Sequence, residues 1–316
     1  MLANAKAKLN NVKTDKKAQN DEVYTRLGDI EKELNEYDPE VFRNKVIFCN
    51  CDDPSSNFWI FFHMNFNRFG LKKLIATHYT SDGAPSYALE YTSEDPKDDV
   101  DFDKSTKIPL SGDGDFRSPE CIELLKQSDM VVTNPQFSLF RAYIAQLEHY
   151  NKEFIVIGDK KAITYKEIFP LIKDDKLWLG FSQPKEFKQP DGTYKKFSNK
   201  LWFTNVDTEK RHHKLENVYR WRQRIEKYPD LYHKYDNCDA IEVSDVLQIP
   251  LDYDGVMGVP ITFVDIYDPD QFEIIGLARD TVPKANLIGG CLTVNGKRKY
   301  ARILIKNKHP EDYQND

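Results

Sequence analysis

No run of apolar residues in this chain approaches the ~20 needed to cross a bilayer. The lysine-rich start (Lys6, Lys8, Lys13, Lys16, Lys17) is not followed by the apolar core of a secretion signal. A cytosolic, cytoplasmic protein is therefore expected. Cysteine is scarce. Cys49, Cys51, Cys121, Cys238 and Cys291 are odd in number, form no C-x-x-C pair and lack histidines at zinc spacing, so reduced thiols and no metal are expected. No Gly-x-Gly-x-x-Gly turn follows a strand, which leaves a dinucleotide site unsupported. The acidic turn Ser111–Ser118 lacks the further oxygen ligands of a calcium loop. There is no internal repeat and no low-complexity tract.

What is present is a 316-residue chain, 40% hydrophobic and 13% aromatic, long enough for one large globular domain or two modest ones. The net charge of −6 speaks against a polyanionic partner only until its distribution is read. Residues 281–308 carry seven basic side chains (Lys284, Lys297, Arg298, Lys299, Arg302, Lys306, Lys308) and no acid, whereas residues 90–115 carry nine acids against three lysines. Such segregation can focus a positive face while the total stays negative, although an ordinary solvated end has the same composition.

Residues 1–20 are polar and weakly periodic, a flexible basic arm or a frayed helix. Tyr24 and Thr25 read as the start of a helix that carries Leu27, Ile30 and Leu34 inward. Lys45–Cys51 is a strand ending in a polar turn, and Phe58, Phe61, Phe62, Phe66 and Phe69 follow at helical spacing as a core stripe. Lys73–Thr77 is a second strand, ending at His78. A long acidic excursion spans about residues 81–110. Gly112 and Gly114 then permit close backbone approach, and a helix over Pro119–Gln127 leads to the buried run Val131–Thr133. That run stops at Asn134-Pro135-Gln136-Phe137, because proline has no N–H for a ladder. Glu153–Ile157 is a strand, Ile163–Ile172 a helix, and Lys176–Phe181 and Lys200–Thr204 are late strands. Strand and helix alternate and strands then follow one another, which argues an α/β fold with a mainly parallel sheet and an antiparallel edge. Beyond 205 the chain mixes Arg220, Trp221, Arg222 and Arg224 with Tyr228, Tyr232 and Tyr235, a composition that suits phosphates and bases or a solvated amphipathic helix.

Five stretches, Asp21–Thr25, Phe48–Asp53 with Ser56–Phe58, Gly112–Ser118, Asn134–Phe137 and Asp254–Phe263, together resemble the EcoRI-type adenine-specific DNA methyltransferase family, in its order and over residues 21–277. The resemblance implies a Rossmann-like methyltransferase fold, with a catalytic domain at 21–205 and a DNA target-recognition region at 206–316. It also implies S-adenosylmethionine as cofactor, S-adenosylhomocysteine as product, double-stranded DNA as partner, and methylation of adenine N6. Carried over by position, Asp21, Tyr24 and Thr25 would lie near the methionine end of the cofactor. Asn50, Asp52 and Asn57 would flank its ribose and sulfonium, and Asp113, Asp115 and Phe116 its adenine. Arg220, Arg222, Arg224, Lys297, Arg298 and Lys299 are the expected DNA contacts.

The chemistry explains the grouping of Asn134, Pro135 and Phe137. The N6 lone pair is delocalised into the purine, so two acceptors, Asn134 Oδ1 and the Pro135 carbonyl, would draw the amine toward a nucleophilic geometry. Phe137 would stack on an adenine flipped from the duplex. Orientation and fixed dipoles then supply most of the acceleration, with no metal or general base. The family pattern has proline where this chain has Gln136, which frees the backbone of Pro135 and predicts slowed turnover. A catalytically silent DNA-binding protein of the same fold is the alternative, and amino-group methylation of RNA or protein a third reading.

Overall fold

A computed structural model describes residues 23–50, 55–80, 84–93, 105–189, 191–222, 228 and 231–311. The expectations placed on residues 1–20, Asp21, Asp52 and Arg224 lie outside these. The chain divides into two compact units. One holds residues 1–162 and 179–206, the other 163–178 and 207–316.

In the first unit the strands are β1 (Tyr24–Thr25), β2 (Val46–Cys49), β3 (Lys73–Thr77), β4 (Tyr87–Thr92), β5 (Thr106–Pro109), β6 (Met130–Thr133) and β7 (Glu153–Asp159), followed by β8 (Trp178–Leu179), β9 (Glu186–Lys188), β10 (Tyr194–Lys196) and β11 (Lys200–Thr204). The helices are α1 (Leu27–Leu34), α2 (Asn57–Met64), α3 (Phe66–Phe69), α4 (Pro119–Gln127) and α5 (Phe140–His149). Eight strands form one sheet in the order β5-β4-β3-β2-β6-β7-β11-β8. The central strands β3, β2, β6 and β7 are mutually parallel, and their apolar runs are buried on both faces.

The sheet is mixed, with antiparallel strands at both margins where a single antiparallel edge is expected from sequence. The reason is β4 and β5. They lie within the acidic stretch that reads as a loop, and β5 is exposed along its whole length, so it shows no apolar run. Tyr24–Thr25 likewise is not a helix start but an extended pair on β9. Helix α2 begins where Ser56 Oγ accepts from Phe58 N at 3.2 Å, and it buries Phe58, Trp59, Phe61 and Phe62. Because α2 carries the chain from β2 to β3 on one side while β6 pairs on the other, the carboxyl ends of β2 and β6 meet at a topological switch point.

In the second unit the helix expected over 163–172 is a 3-10 turn, Lys160–Thr164, entering from the first unit, and a short helix α6 (Phe169–Lys173) with Pro170 in its first turn. Proline suits that position and does not extend a helix running into it. Strands β12 (Ile241–Glu242), β13 (Met257–Pro260), β14 (Phe272–Leu277) and β17 (Arg302–Asn307) form a sheet in the order β12-β13-β17-β14, and β15 (Leu292–Val294) pairs with β16 (Lys297–Lys299). Tyr235, Ala278, Leu292 and Leu304 share its core. The described part of 206–235 is largely irregular, with a 3-10 turn at Glu209–His212.

Candidate active site

Three strand ends are tied together before any polar group is free to act. Thr133 Oγ1, at the end of β6, donates to Asn50 O at 2.8 Å, and Thr77 Oγ1, at the end of β3, donates to Asn50 Oδ1 at 2.9 Å. Asn50 is 2% exposed, so its side chain braces the sheet. Asn134 follows β6 and precedes a proline, which favours extended backbone and turns its side chain out of the ladder. Its Nδ2 donates to Val23 O at 2.8 Å. Because the Val23 carbonyl only accepts, the amide must present its NH2 there, and Oδ1 faces the other way. That oxygen is buried and has no donor among the described residues. A buried acceptor left so costs about 1–3 kcal/mol. Pro135 is buried, and its carbonyl likewise has no donor among the described residues.

Thr25 and Asn57 lie on the same side of this cleft. Asn57 Nδ2 donates to Thr25 O at 2.6 Å, and Thr25 Oγ1 is a second buried oxygen without a partner among the described residues. Strand alternation sends Thr25 inward and Tyr24, 43% exposed, outward, so the structure does not bring these two side chains together.

Phe137 is half-buried. Its ring meets Phe187 edge-on at 6.5 Å between centroids, and the ammonium of Lys200 sits 3.4 Å from its centroid. Lys200 is itself buried and pairs with Asp159 Oδ2 at 3.2 Å. Gln136 is half-buried and its carbonyl accepts from Leu139 N at 2.9 Å, turning the chain into α5.

The glycine-rich loop docks on the residues after β3. Thr80 N donates to Asp113 O at 2.9 Å. Gly114, at φ 83°, is where a Cβ would stand 1.9 Å from His78 O, so the close approach it permits is to the chain's own backbone. The Asp115 carboxylate takes two bonds from the Arg117 guanidinium, at 2.9 and 2.5 Å, and one from Arg117 N at 2.8 Å, and the guanidinium above all holds its pKa below the usual carboxylate value despite partial burial. Phe116 is 4% exposed and packed edge-on against Tyr143 at 5.0 Å. Asp113 and Asp115 are thus close to each other, but Asp115 is engaged and Phe116 offers little surface. No group of three or more His, Cys, Asp or Glu side chains suited to a metal occurs among the described residues.

The strand-end arrangement carries two neighbouring acceptors beside an aromatic face at a switch point. A family model described as "Adenine-specific methyltransferase EcoRI" matches residues 11–308. The chain belongs to this family. It is an adenine-specific DNA methyltransferase. Among its relatives, the Type II methyltransferase M.EcoRI of Escherichia coli is 44% identical over 93% of this chain and 95% of its own. The Type II methyltransferase M.MpnI of Mycoplasma pneumoniae is 38% identical over 93% and 97%. No solved structure matches the chain significantly.

In this EcoRI-type methyltransferase the expected DNA contacts of the second unit differ among themselves. Arg220 is half-buried and donates to Asn217 O, Tyr219 O and Glu311 Oε2, so it staples its own segment. Arg222 is exposed. Lys297 and Arg298 are exposed on β16, whereas Lys299 pairs with Glu242 at 3.5 Å. Sequence reasoning missed Val23, Phe187 and Lys200. Each meets the Asn-Pro segment from far along the chain, Val23 by a hydrogen bond to Asn134 and Phe187 and Lys200 against the Phe137 ring, and nothing local marks them.

Proposed function

We propose that this methyltransferase transfers a methyl group from S-adenosylmethionine to N6 of an adenine flipped out of double-stranded DNA, with the first unit catalytic and the second reading the target. The observation that carries the proposal is the buried, donorless Oδ1 of Asn134 beside the donorless Pro135 carbonyl. Two acceptors side by side match the two N–H bonds of one exocyclic amine, and satisfying them recovers the cost of leaving them bare.

The residues present fit the cofactor. Thr25 Oγ1 is a buried polar atom without a partner among the described residues, Asn57 stands at the start of α2, and Asp113 lies on the loop after β5 that docks on Thr80. These would hold its methionine end, its ribose and its adenine, with Asn50 bracing the floor. When bound, S-adenosylmethionine supplies a methyl carbon activated by a sulfonium. Asn134 and Pro135 then accept from the adenine amine and orient its lone pair, while Phe137 presents a ring face to the base. The amine that has gained a methyl carries a positive charge, which the same two oxygens stabilise until a proton is lost to water. Gln136 leaves the aim of the Pro135 carbonyl less restricted than a second proline does, so turnover is slowed. Arg222, Lys297 and Arg298, exposed basic side chains of the second unit, would meet phosphates, and the enzyme would work where the DNA is, in the cytoplasm.

Duplex DNA incubated with tritiated cofactor tests the reading. Label enters DNA, and Asn134→Ala lowers its rate by about 10²–10³, the scale of losing one aimed dipole, while cofactor binding persists. Salt-sensitive duplex binding without label in the parent chain identifies a silent binder instead.

A further inference from the structure

The small sheet β1-β9-β10 has two faces of different chemistry. Register places Thr25, Phe187 and Lys195 in one cross-strand row and Tyr24, Lys188 and Tyr194 in the next. Neighbouring residues on a strand point to opposite faces. In the first row Thr25 and Phe187 turn inward and are buried, Lys195 on the edge strand stays exposed, and Phe187 meets Phe137 from the inner side. The second row turns outward. Tyr24 is 43% and Tyr194 60% exposed, and Lys188 stands between them, also exposed. One step further along the outer face, Glu186 is opposite Lys196 and is neutralised by Arg26. Lys188 and Lys196 have no ion-pair partner among the described residues. The face therefore presents two tyrosine rings and two uncompensated ammonium groups, and its one acid is already paired.

We propose that this outer face is a strand-binding platform. Lys188 and Lys196 would neutralise phosphates of the DNA strand that carries the target adenine, and Tyr194, with Tyr24, would offer π-faces to its flanking bases. The inference rests on the reading that the Asn134 cleft receives a flipped adenine. Its geometric basis is that the inner face of the same three strands builds that cleft: Val23, next to β1, holds Asn134, and Phe187 of β9 abuts Phe137. A strand whose base enters the cleft must cross its rim, and this is a rim whose charge and aromatic content suit a nucleic-acid backbone and its bases.

The full chain is titrated against a fluorescein-labelled duplex of mixed sequence over a range of KCl concentrations, read by anisotropy. Each neutralised phosphate contributes about 0.9 to the slope of log K against log salt. Lys188→Gln/Lys196→Gln is expected to flatten that slope by about 1.8, and Lys188→Arg/Lys196→Arg to keep it. Tyr194→Ala weakens binding roughly tenfold with the slope unchanged. Unaltered affinity for S-adenosylmethionine, measured by calorimetry, shows that the variants are folded. Lys188→Thr/Lys196→Thr, which retains strand propensity, serves should the glutamine pair unfold. A neutralised pair whose slope equals the parent's overturns the platform while leaving the methyltransferase reading intact. A parent chain whose duplex binding does not depend on salt overturns both.

Discussion

Asn134 is half committed: its amide nitrogen is anchored to Val23 and its oxygen is left bare, so the chain fixes the direction of the acceptor before any substrate arrives. Gln136 is the position that the proposed mechanism holds responsible for slowed turnover. No hydrogen bond from its N–H occurs among the described residues, and its carbonyl bond to Leu139 does not depend on the side chain. Gln136→Pro therefore removes no backbone hydrogen bond seen among the described residues and stiffens the backbone that aims the Pro135 carbonyl. Single-turnover methyl transfer should speed up, by at most about 10², the scale of a corrected misplacement at a reacting centre; an unchanged rate would mean that aim is not limiting. Lys200 makes the opposite case. It is 4% exposed and pairs with Asp159, so Asp159→Ala removes a carboxylate that faces a buried ammonium and should cost up to about 3–5 kcal/mol, read as a lowered urea midpoint. The strand end before Asn134 and Pro135 was legible in the sequence because an apolar run that stops at a proline announces itself locally. Val23 was not, since it lies 111 residues from the side chain it orients.

Elements were legible in proportion to their apolar pattern. The central strands stand out as β-branched runs, and α4 spans the expected Pro119–Gln127. Strand β5 and the platform strands β9 and β10 do not, because their residues are largely exposed and their partners are other short strands. What holds the approach to β9 is a contact no pattern shows. Glu33, fully buried on α1, accepts from Phe181 N at 2.9 Å, Ser182 N at 2.6 Å and the Tyr37 hydroxyl at 3.3 Å. Burial and the neighbouring carboxylate together push the Tyr37 hydroxyl well above its ordinary pKa, so it stays a donor. Gly180 leaves room for this carboxylate, since a Cβ there would stand 1.9 Å from Glu33 Oε1. Glu33→Ala strands two amides at about 1–3 kcal/mol each. Faster hydrogen exchange at Phe181 and Ser182 is the expected signature, and unchanged protection there would deny Glu33 this role.

At the scale of the whole molecule, the two units each have a core of their own, and a buried carboxylate beside such a core ties its unit's stability to pH. The clearest case is Glu242 in the second unit, 2% exposed and met by Arg302, Lys299, Ser244 and Tyr235. Burial alone would raise its pKa, but the Arg302 and Tyr235 hydrogen bonds outweigh that and leave it below the usual value. A carboxylate with a depressed pKa in the folded state contributes stability that is complete above its unfolded pKa, about 4.3, and is lost as pH falls through the folded value. Glu242→Gln removes one partner of a buried pair, so at pH 7 it should lower unfolding free energy by about 3–5 kcal/mol. The gap between parent and variant should then close as the pH falls below the unfolded value and through the lower folded one, where the parent's own carboxylate takes up its proton. Urea midpoints of both chains across that range decide the matter: a gap that stays constant down to strong acid would place the cost of the substitution in lost packing rather than in the charge that Arg302 holds.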